Sequence, residues 1–387
     1  MSNIIVYRPG LIGNRTAFEC QSSIYKYLQK KHGYRFTIVK SHSDEYVDSE
    51  FDIVSISQAE YRCLPLTPYP LLPYAVKRNL NRIFMGADGI LTIDPTIYPQ
   101  SLQAIKFANR NDRPVWFDTS LTHTDRGSSL YWKLVWRNRL RSAVSACSGI
   151  IMTTPRCIER FADLGLLGAI ASDKFITMGH PVDTVLFSRR DVCRGNSGQG
   201  KLKIIVISRL IPEKGHIYII EALAPLLRKN ENISMDFIGA GVLHDYLIRE
   251  IKEKGLERSI KIIAAMPHSE LPKHLNEADL FINHAISVGQ WEEYFGAANL
   301  EAMACELPTI VTSSGGISYV IRGSEVALFV GERSIADIRE AVTRLIVDEG
   351  LRERLSKNAR KYVLENYDLS VIAEKYHQML QKGLSRQ

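Results

Sequence analysis

At 387 residues, with 45% hydrophobic and 24% charged content, the chain has ordinary globular composition and length enough for two domains with separate cores. No run approaches the ~20 apolar residues that span a bilayer, and six scattered cysteines without a C-x-x-C pair fit free thiols in a reducing cytoplasm rather than disulfides or a zinc site. Residues 1–200 hold 25 Lys and Arg against 17 Asp and Glu, a net +8, whereas residues 201–387 hold 24 against 25, a net −1, so the front half is expected to meet an anionic surface.

Ile4-Ile5-Val6-Tyr7 reads as a short buried strand, too short and too poorly flanked for a signal peptide. Pro9, Gly10 and Gly13 make a loop, and residues 16–31 follow as a helix ending at His32-Gly33. Strand, glycine loop and helix open a doubly wound α/β fold. Gly13 is a candidate phosphate contact, although Gly10 and Gly13 do not form G-x-G-x-x-G and a plain tight turn explains them equally. Strands at Phe36–Val39 and Phe51–Ser57 precede a proline-rich passage, Pro65 to Pro73, that must be irregular. Gly89–Ile93, Val115–Phe117 and Ser148–Thr153 are further strands, with a helix over Ser101–Asn109. Strands alternate with helices, so the sheet should be parallel. Phe175–Met178 is the last strand of this half, and Gly179-His180-Pro181-Val182-Asp183 and Phe187 follow it. A first domain is therefore expected over 1–187. Arg194 to Gly200 is rich in Gly, Ser and Asn, so 188–200 reads as a linker or hinge.

The second half restarts the rhythm, and a second domain is expected over 201–368. Strands are predicted at Lys203–Ile207, Met235–Ile238, Lys261–Ala264, Leu280–Asn283 and Thr309–Thr312. Helices are predicted at 216–229, 242–255, 269–277, 297–305, 336–346 and 350–364. A final helix starts near 369, within 369–387. Arg209 and Lys214 sit five apart in the loop after the first of these strands. That aims both at a pocket on the carboxyl edge of the sheet, beside a helix beginning near Gly215.

The densest stretch is Trp291 to Gly316, WEEYFGAANLEAMACELPTIVTSSGG. Glu293 and Glu301 flank seven residues, and the Ala, Leu, Glu and Met of the following run favour a helix from about Gly296. The free amides of Gly296, Ala297 and Ala298 then form an anion site at a helix start, with a carboxylate at each end. Such an arrangement suits a diphosphate flanked by two sugars.

This stretch resembles the donor-site signature of the family 4 retaining glycosyltransferases, a Glu–seven residues–Glu motif followed by a small-residue helix. Two other elements are similar to that family: Ser208 to Gly215, where the family reads approximately G-R-L-x-x-x-K-G, and the Gly179 to Phe187 segment that leaves its first domain. The resemblance runs from about residue 175 to 370. It implies the fold called GT-B, two Rossmann-like doubly wound α/β domains facing across a cleft, with the last helix crossing back to the first domain. It implies that Arg209 and Lys214 bind the donor phosphates, that Glu301 accepts from ribose hydroxyls, and that Glu293 contacts the transferred sugar. Amides from Phe295 to Ala298 would meet the sugar or diphosphate. Gly239 and Gly241 would let the backbone pass close to the nucleotide, and the loop of Met266 would read the base.

The acceptor side departs from the family pattern. Relatives often end a mid-domain strand with His followed by Asp or Gly; here that strand ends Trp116-Phe117-Asp118-Thr119-Ser120, and the nearest His is His123. Either Asp118 or His123 takes the polar role, and on a front-face route the leaving phosphate itself accepts the proton. No Asp-x-Asp motif is present, so a metal-independent enzyme without a cofactor is expected, with a UDP-hexose as co-substrate and UDP-glucose as the favoured donor. A lipid-linked or surface-polysaccharide precursor is the expected acceptor, and no nucleic acid is involved. An epimerase or phosphorylase on the same fold, or a non-catalytic scaffold partner, are the rival readings. Over 129–144, Trp132, Trp136 and Leu140 form one helical stripe and Lys133, Arg137 and Arg141 the next. That pattern suits either core packing or reversible docking on an anionic membrane at the inner face.

Overall fold

The computed structural model describes residues 1–9, 15–42, 44–56, 74–96, 98, 100–120, 137–190, 201–289 and 291–385. These fall into two compact units, Met1–Pro181 with Ile372–Gln387, and Val182–Val371.

In the first unit the strands are β1 (Asn3–Arg8), β2 (Arg35–Ser41), β3 (Asp52–Ile56), β4 (Gly89–Ile93), β5 (Val115–Thr119), β6 (Gly149–Met152) and β7 (Phe175–Thr177). They form one sheet in the order β3-β2-β1-β4-β5-β6-β7, with every described pairing parallel. The helices are α1 (Arg15–His32), α2 (Tyr74–Phe84), α3 (Ser101–Arg110), α4 (Arg137–Ala146) and α5 (Cys157–Asp163). β4 is buried at all five positions, as expected for a parallel strand covered on both faces.

The second unit repeats the plan with β8 (Leu202–Ile207), β9 (Ile233–Ile238), β10 (Ile260–Ile263), β11 (Leu280–Asn283), β12 (Thr309–Thr312) and β13 (Leu328–Val330), ordered β10-β9-β8-β11-β12-β13 and again parallel. Its helices are α6 (His216–Lys229), α7 (His244–Glu253), α8 (Leu271–Asn276), α9 (Ala297–Ala304), α10 (Ile317–Val320), α11 (Ile335–Val347) and α12 (Glu349–Asn366). Each sheet thus reverses its winding once, between β1 and β4 and between β8 and β11. A ligand crevice forms outside the carboxyl ends of the strands at such a reversal. The expected fold class, two Rossmann-like α/β domains, is the one observed.

One difference concerns the end of the first domain. Residues 182–187 were expected with the first domain but pack in the second unit. Val182 bridges to Asp368, and Phe187 is buried in a core with Leu300, Met303 and Val363. The last helix, α13 (Leu369–Leu384), contributes Ile372 onward to the first unit, burying Tyr376 and Met379 there. The 191–200 part of the linker, the proline-rich passage and the tryptophans at 132 and 136 lie outside the described residues. Of the predicted amphipathic stretch, α4 buries Leu140, Ala143 and Val144 and exposes Arg141.

Candidate active site

The second-unit crevice is built from the loops that follow β8 and β11. After β8 the chain runs through Ser208 and Arg209 into a short turn at Pro212–Lys214, and α6 begins at His216. After β11 it runs through Ile286 and Ser287 to Trp291, Glu293 and the start of α9. The backbone joins the two loops, since the amide of Ile286 donates to the Glu213 carbonyl at 2.8 Å.

Lys214 comes to Glu293 through a direct ammonium–carboxylate bond, and both side chains are nearly buried, 11% and 10% exposed. The ammonium also lies 5.3 Å from the centre of the Trp291 ring, within cation–π range. Arg209 is exposed and makes no ion pair with a described residue. Glu293 is itself anchored, its carbonyl accepting from the Gly316 amide at 2.7 Å.

Gly296 precedes α9 with φ at 75°, in the left-handed region that an L side chain enters only at a cost. A Cβ there would come within 2.5 Å of the Asn299 amide nitrogen, so the site is closed to side chains by both conformation and space. Asn299 is held beneath the turn by the Asn283 amide, which donates to it at 2.7 Å. The first amides of α9, at exposed Ala297 and half-buried Ala298, have no acceptor inside the helix and carry its positive end. The Phe295 side chain turns away into the core, edge-on to Tyr367 at 5.7 Å.

One turn into α9, Glu301 meets the His268 ring nitrogen Nε2 at 2.8 Å. His268 stands just after Met266 in the loop leaving β10, and its ring packs on Phe187 at 4.9 Å. Each carboxylate of the Glu–seven residues–Glu motif therefore has a basic partner. Sequence reasoning missed His268 and Trp291 as members of the site. No local pattern marks either, because His268 lies 33 residues from the carboxylate it meets.

Gly239 and Gly241 follow β9, but what they approach is protein. A Cβ at Gly239 would lie 1.9 Å from the Ser208 carbonyl oxygen and one at Gly241 2.3 Å from that of Leu210. These glycines let the loop after β9 lie against the loop of Arg209, which shapes the crevice wall.

In the first unit, Asp118 ends β5 and pairs with Arg8 at the end of β1 at 2.8 Å, while Gln21 donates to the same carboxylate at 2.9 Å. Burial pushes the Asp118 carboxyl above its usual range against the pull of Arg8. Its carboxylate is engaged by Arg8 and Gln21, with a fifth of the side chain left exposed. A second buried pair, Arg160 with Asp94 at 2.5 Å, lies on α5 and at the end of β4. Gly13 and His123 lie outside the described residues. Among the described residues no cluster of His, Cys, Asp and Glu could hold a metal, and no helix is long and apolar enough to cross a membrane.

Residues 191–362 match the family described as glycosyl transferases group 1. The chain is 27% identical over 243 residues to the alpha-D-kanosaminyltransferase of Streptomyces kanamyceticus, covering 60% of each chain. It is 25% identical over 258 residues to a GDP-mannose-dependent alpha-(1-6)-phosphatidylinositol monomannoside mannosyltransferase of Mycobacterium tuberculosis, covering 64% of this chain and 66% of that one. These matches stop short of the relatives' full length. Among solved structures, Anabaena HepE in complex with UDP superposes with a TM-score of 0.75 at 15% identity, over 99% of this chain and 100% of that one. A glycosyltransferase of Rickettsia africae superposes with a TM-score of 0.74 at 15% identity, over 100% and 99% of the two chains. Residues 191–362 thus resemble the glycosyl transferases group 1, and the solved structures share the two-domain α/β fold along the whole chain.

Proposed function

We propose that the chain is a retaining glycosyltransferase that moves a hexose from a nucleotide-diphosphate sugar to a lipid-linked or cell-surface polysaccharide precursor. The observation that carries this reading is the second-unit crevice, where Lys214–Glu293 and His268–Glu301 flank the N-terminus of α9. Breaking a glycosidic bond to a diphosphate leaves negative charge on the departing oxygen. Lys214, exposed Arg209 and the α9 amides supply fixed positive charge for it, the role a metal ion plays elsewhere. Glu293 accepts from hydroxyls of the transferred sugar and Glu301 from those of the ribose. Retention follows when the leaving phosphate takes the acceptor's proton on the same face of the sugar. That route asks for no protein base, which suits an Asp118 already engaged by Arg8.

The donor proposed is a UDP-hexose, with UDP-glucose first among the candidates. HepE has been solved with UDP and with UDP-glucose, whereas the mycobacterial relatives are named for GDP-mannose. A diphosphate bearing a hexose is common to both. The test is nucleotide release from UDP-, GDP- and ADP-sugars, with the anomer of the product determined. Turnover with one donor, retention of configuration and indifference to EDTA are expected. Release from none of the donors, inversion, or rescue by Mg²⁺ after chelation would overturn the corresponding part.

The basic front half, net +8 over residues 1–200, supports reversible docking of the first unit on an anionic membrane that carries the acceptor. Sedimentation with vesicles should rise with anionic lipid and fall with salt. A protein left in the supernatant at low salt would point to a soluble acceptor.

A further inference from the structure

The loop that leaves β13, Gly331 to Ser334, has no place in the chemistry above, yet it makes an unusual set of bonds to the loop that does. Both Ser287 hydrogen-bond donors end on one carboxylate. Its amide donates to Glu332 at 2.7 Å and its hydroxyl donates to the other Glu332 oxygen at 2.8 Å. The Ser287 carbonyl accepts from the Arg333 guanidinium. Arg333 sits at φ 61°, a left-handed conformation for a non-glycine residue, with its own amide donating to Nε2 of buried His284 at 3.0 Å. The strained tip is held from behind as well. Asp337 on α11 accepts from the Gly331 amide at 2.9 Å, and Ser334 caps α11.

From Ser287 the chain reaches the reactive side chains through a tight turn. Val288 and Trp291 exchange both backbone hydrogen bonds, at 3.0 and 2.9 Å. Trp291 lies against the Lys214 ammonium, and Glu293, two residues on, bonds to it. Ser287 is thus the last residue before the turn, and all its polar groups are fixed by two side chains from a different loop.

We propose that Glu332, with Arg333, is a positioning residue for the donor site: it clamps Ser287 and so sets Trp291 and Glu293 against Lys214. The inference rests on the glycosyltransferase reading. Losing the clamp leaves the nucleotide contacts near Glu301 in place but lets the carboxylate and ring drift from the ammonium. A misplacement of about 1 Å in such a site costs on the order of 10²-fold in rate.

The full chain is compared with Glu332→Ala, Glu332→Gln, Ser287→Ala and the double variant Glu332→Ala/Ser287→Ala. Glu332→Ala should lower kcat ~10–100-fold, with UDP affinity within about threefold. Glu332→Gln, which still accepts the Ser287 amide, should recover most of the lost rate. The double variant should be no worse than Glu332→Ala alone, since both remove one clamp. Amide hydrogen exchange reads the same clamp without any activity: in Glu332→Ala the Val288 and Trp291 amides should exchange at least ~10-fold faster, while Ile205 and Phe237 in the sheet stay protected. Unchanged turnover in Glu332→Ala, additive losses in the double variant, or a rate loss matched by an equal loss of folded protein would overturn the proposal. Unchanged exchange would overturn it too. Faster exchange in a protein that releases nucleotide from no donor would instead sink the glycosyltransferase reading and leave the clamp standing.

Discussion

The pairing of Lys214 with Glu293 puts two opposite charges where little water reaches, so each depends on the other. On the proposed reading Lys214→Ala removes a phosphate contact and should cost ~10²–10³ in kcat, with nucleoside binding much less affected. It also strands a buried carboxylate, a loss of roughly 3–5 kcal/mol in stability for a pair this buried. Lys214→Ala/Glu293→Ala should therefore melt higher than Lys214→Ala alone; a double variant melting lower would show that the pair is not interdependent. Arg209→Ala, exposed and without a described ion pair, should lower kcat comparably with no change in melting temperature. The buried histidines carry a separate expectation. Burial holds His284 and His216 near a pKa of about 4, against about 6.5 unfolded. Between those values the unfolded chain binds more protons than the folded one, so stability is full above pH 6.5 and falls as pH drops towards 4. The loss is roughly 3 kcal/mol for each group. His284→Asn, keeping a side-chain acceptor for the Arg333 amide, should flatten part of that slope in denaturation curves taken from pH 7 to 4.

Among the elements, α9 shows how a short helix can be required by its first residue. Apart from Asn299 and Glu301 its residues are Ala, Leu and Met, and Asn299 to Ala304 are all buried, so it packs tightly against β11 and β12. The turn that starts it depends on Gly296, whose left-handed backbone lets the first amides face outward. Gly296→Ala should cost ~1–2 kcal/mol from conformation alone, before the contact with Asn299 is relieved. For a unit of this size that is roughly 2–8 °C in melting temperature. The same change should weaken donor binding, because the amides turn with the backbone. A variant with unchanged melting and unchanged donor affinity would remove Gly296 from both roles. Elements that sequence periodicity did not show were the short ones: α5, α10 and β13 span too few residues to display a period. α2 follows a proline-rich passage that masked its start.

At the scale of the molecule, the chain closes its first unit with its last helix. Lys31 and Glu374 pair at 2.6 Å, the His32 and His377 rings stack at 3.6 Å, and Tyr34 meets His377 at 3.1 Å. Gly383 lies flat on buried Trp116, where a Cβ would come within 2.2 Å of the indole. Deleting residues 372–387 should therefore uncover Trp116 and Tyr25, and the first unit should lose its cooperative transition while the second, Val182–Val371, keeps its own. Two unchanged transitions by calorimetry would show that α13 is dispensable. The proposed donor loops lie within one contiguous segment of the second unit, so on that reading UDP binding should survive the truncation.

The sequence alone determined where the buried strands lie. β4, β11 and β12 fall within the residues expected, because a strand covered on both faces must be a continuous apolar or β-branched run bounded by turn formers. It also determined that Arg209, Lys214, Glu293 and Glu301 flank strand ends and a helix start, since those positions follow from local pattern. Tertiary structure alone decided who meets whom. Lys214 and Glu293 are 79 residues apart, and Arg8 and Asp118 are 110. Their meeting depends on β11 lying beside β8, and β5 lying one strand beyond β4, an order that no local periodicity encodes. The glycines at 239 and 241 turned out to face protein, and residues 182–187 joined the second unit, for the same reason. Close approach and packing are properties of the folded surfaces, and a residue's neighbours in the chain do not reveal them.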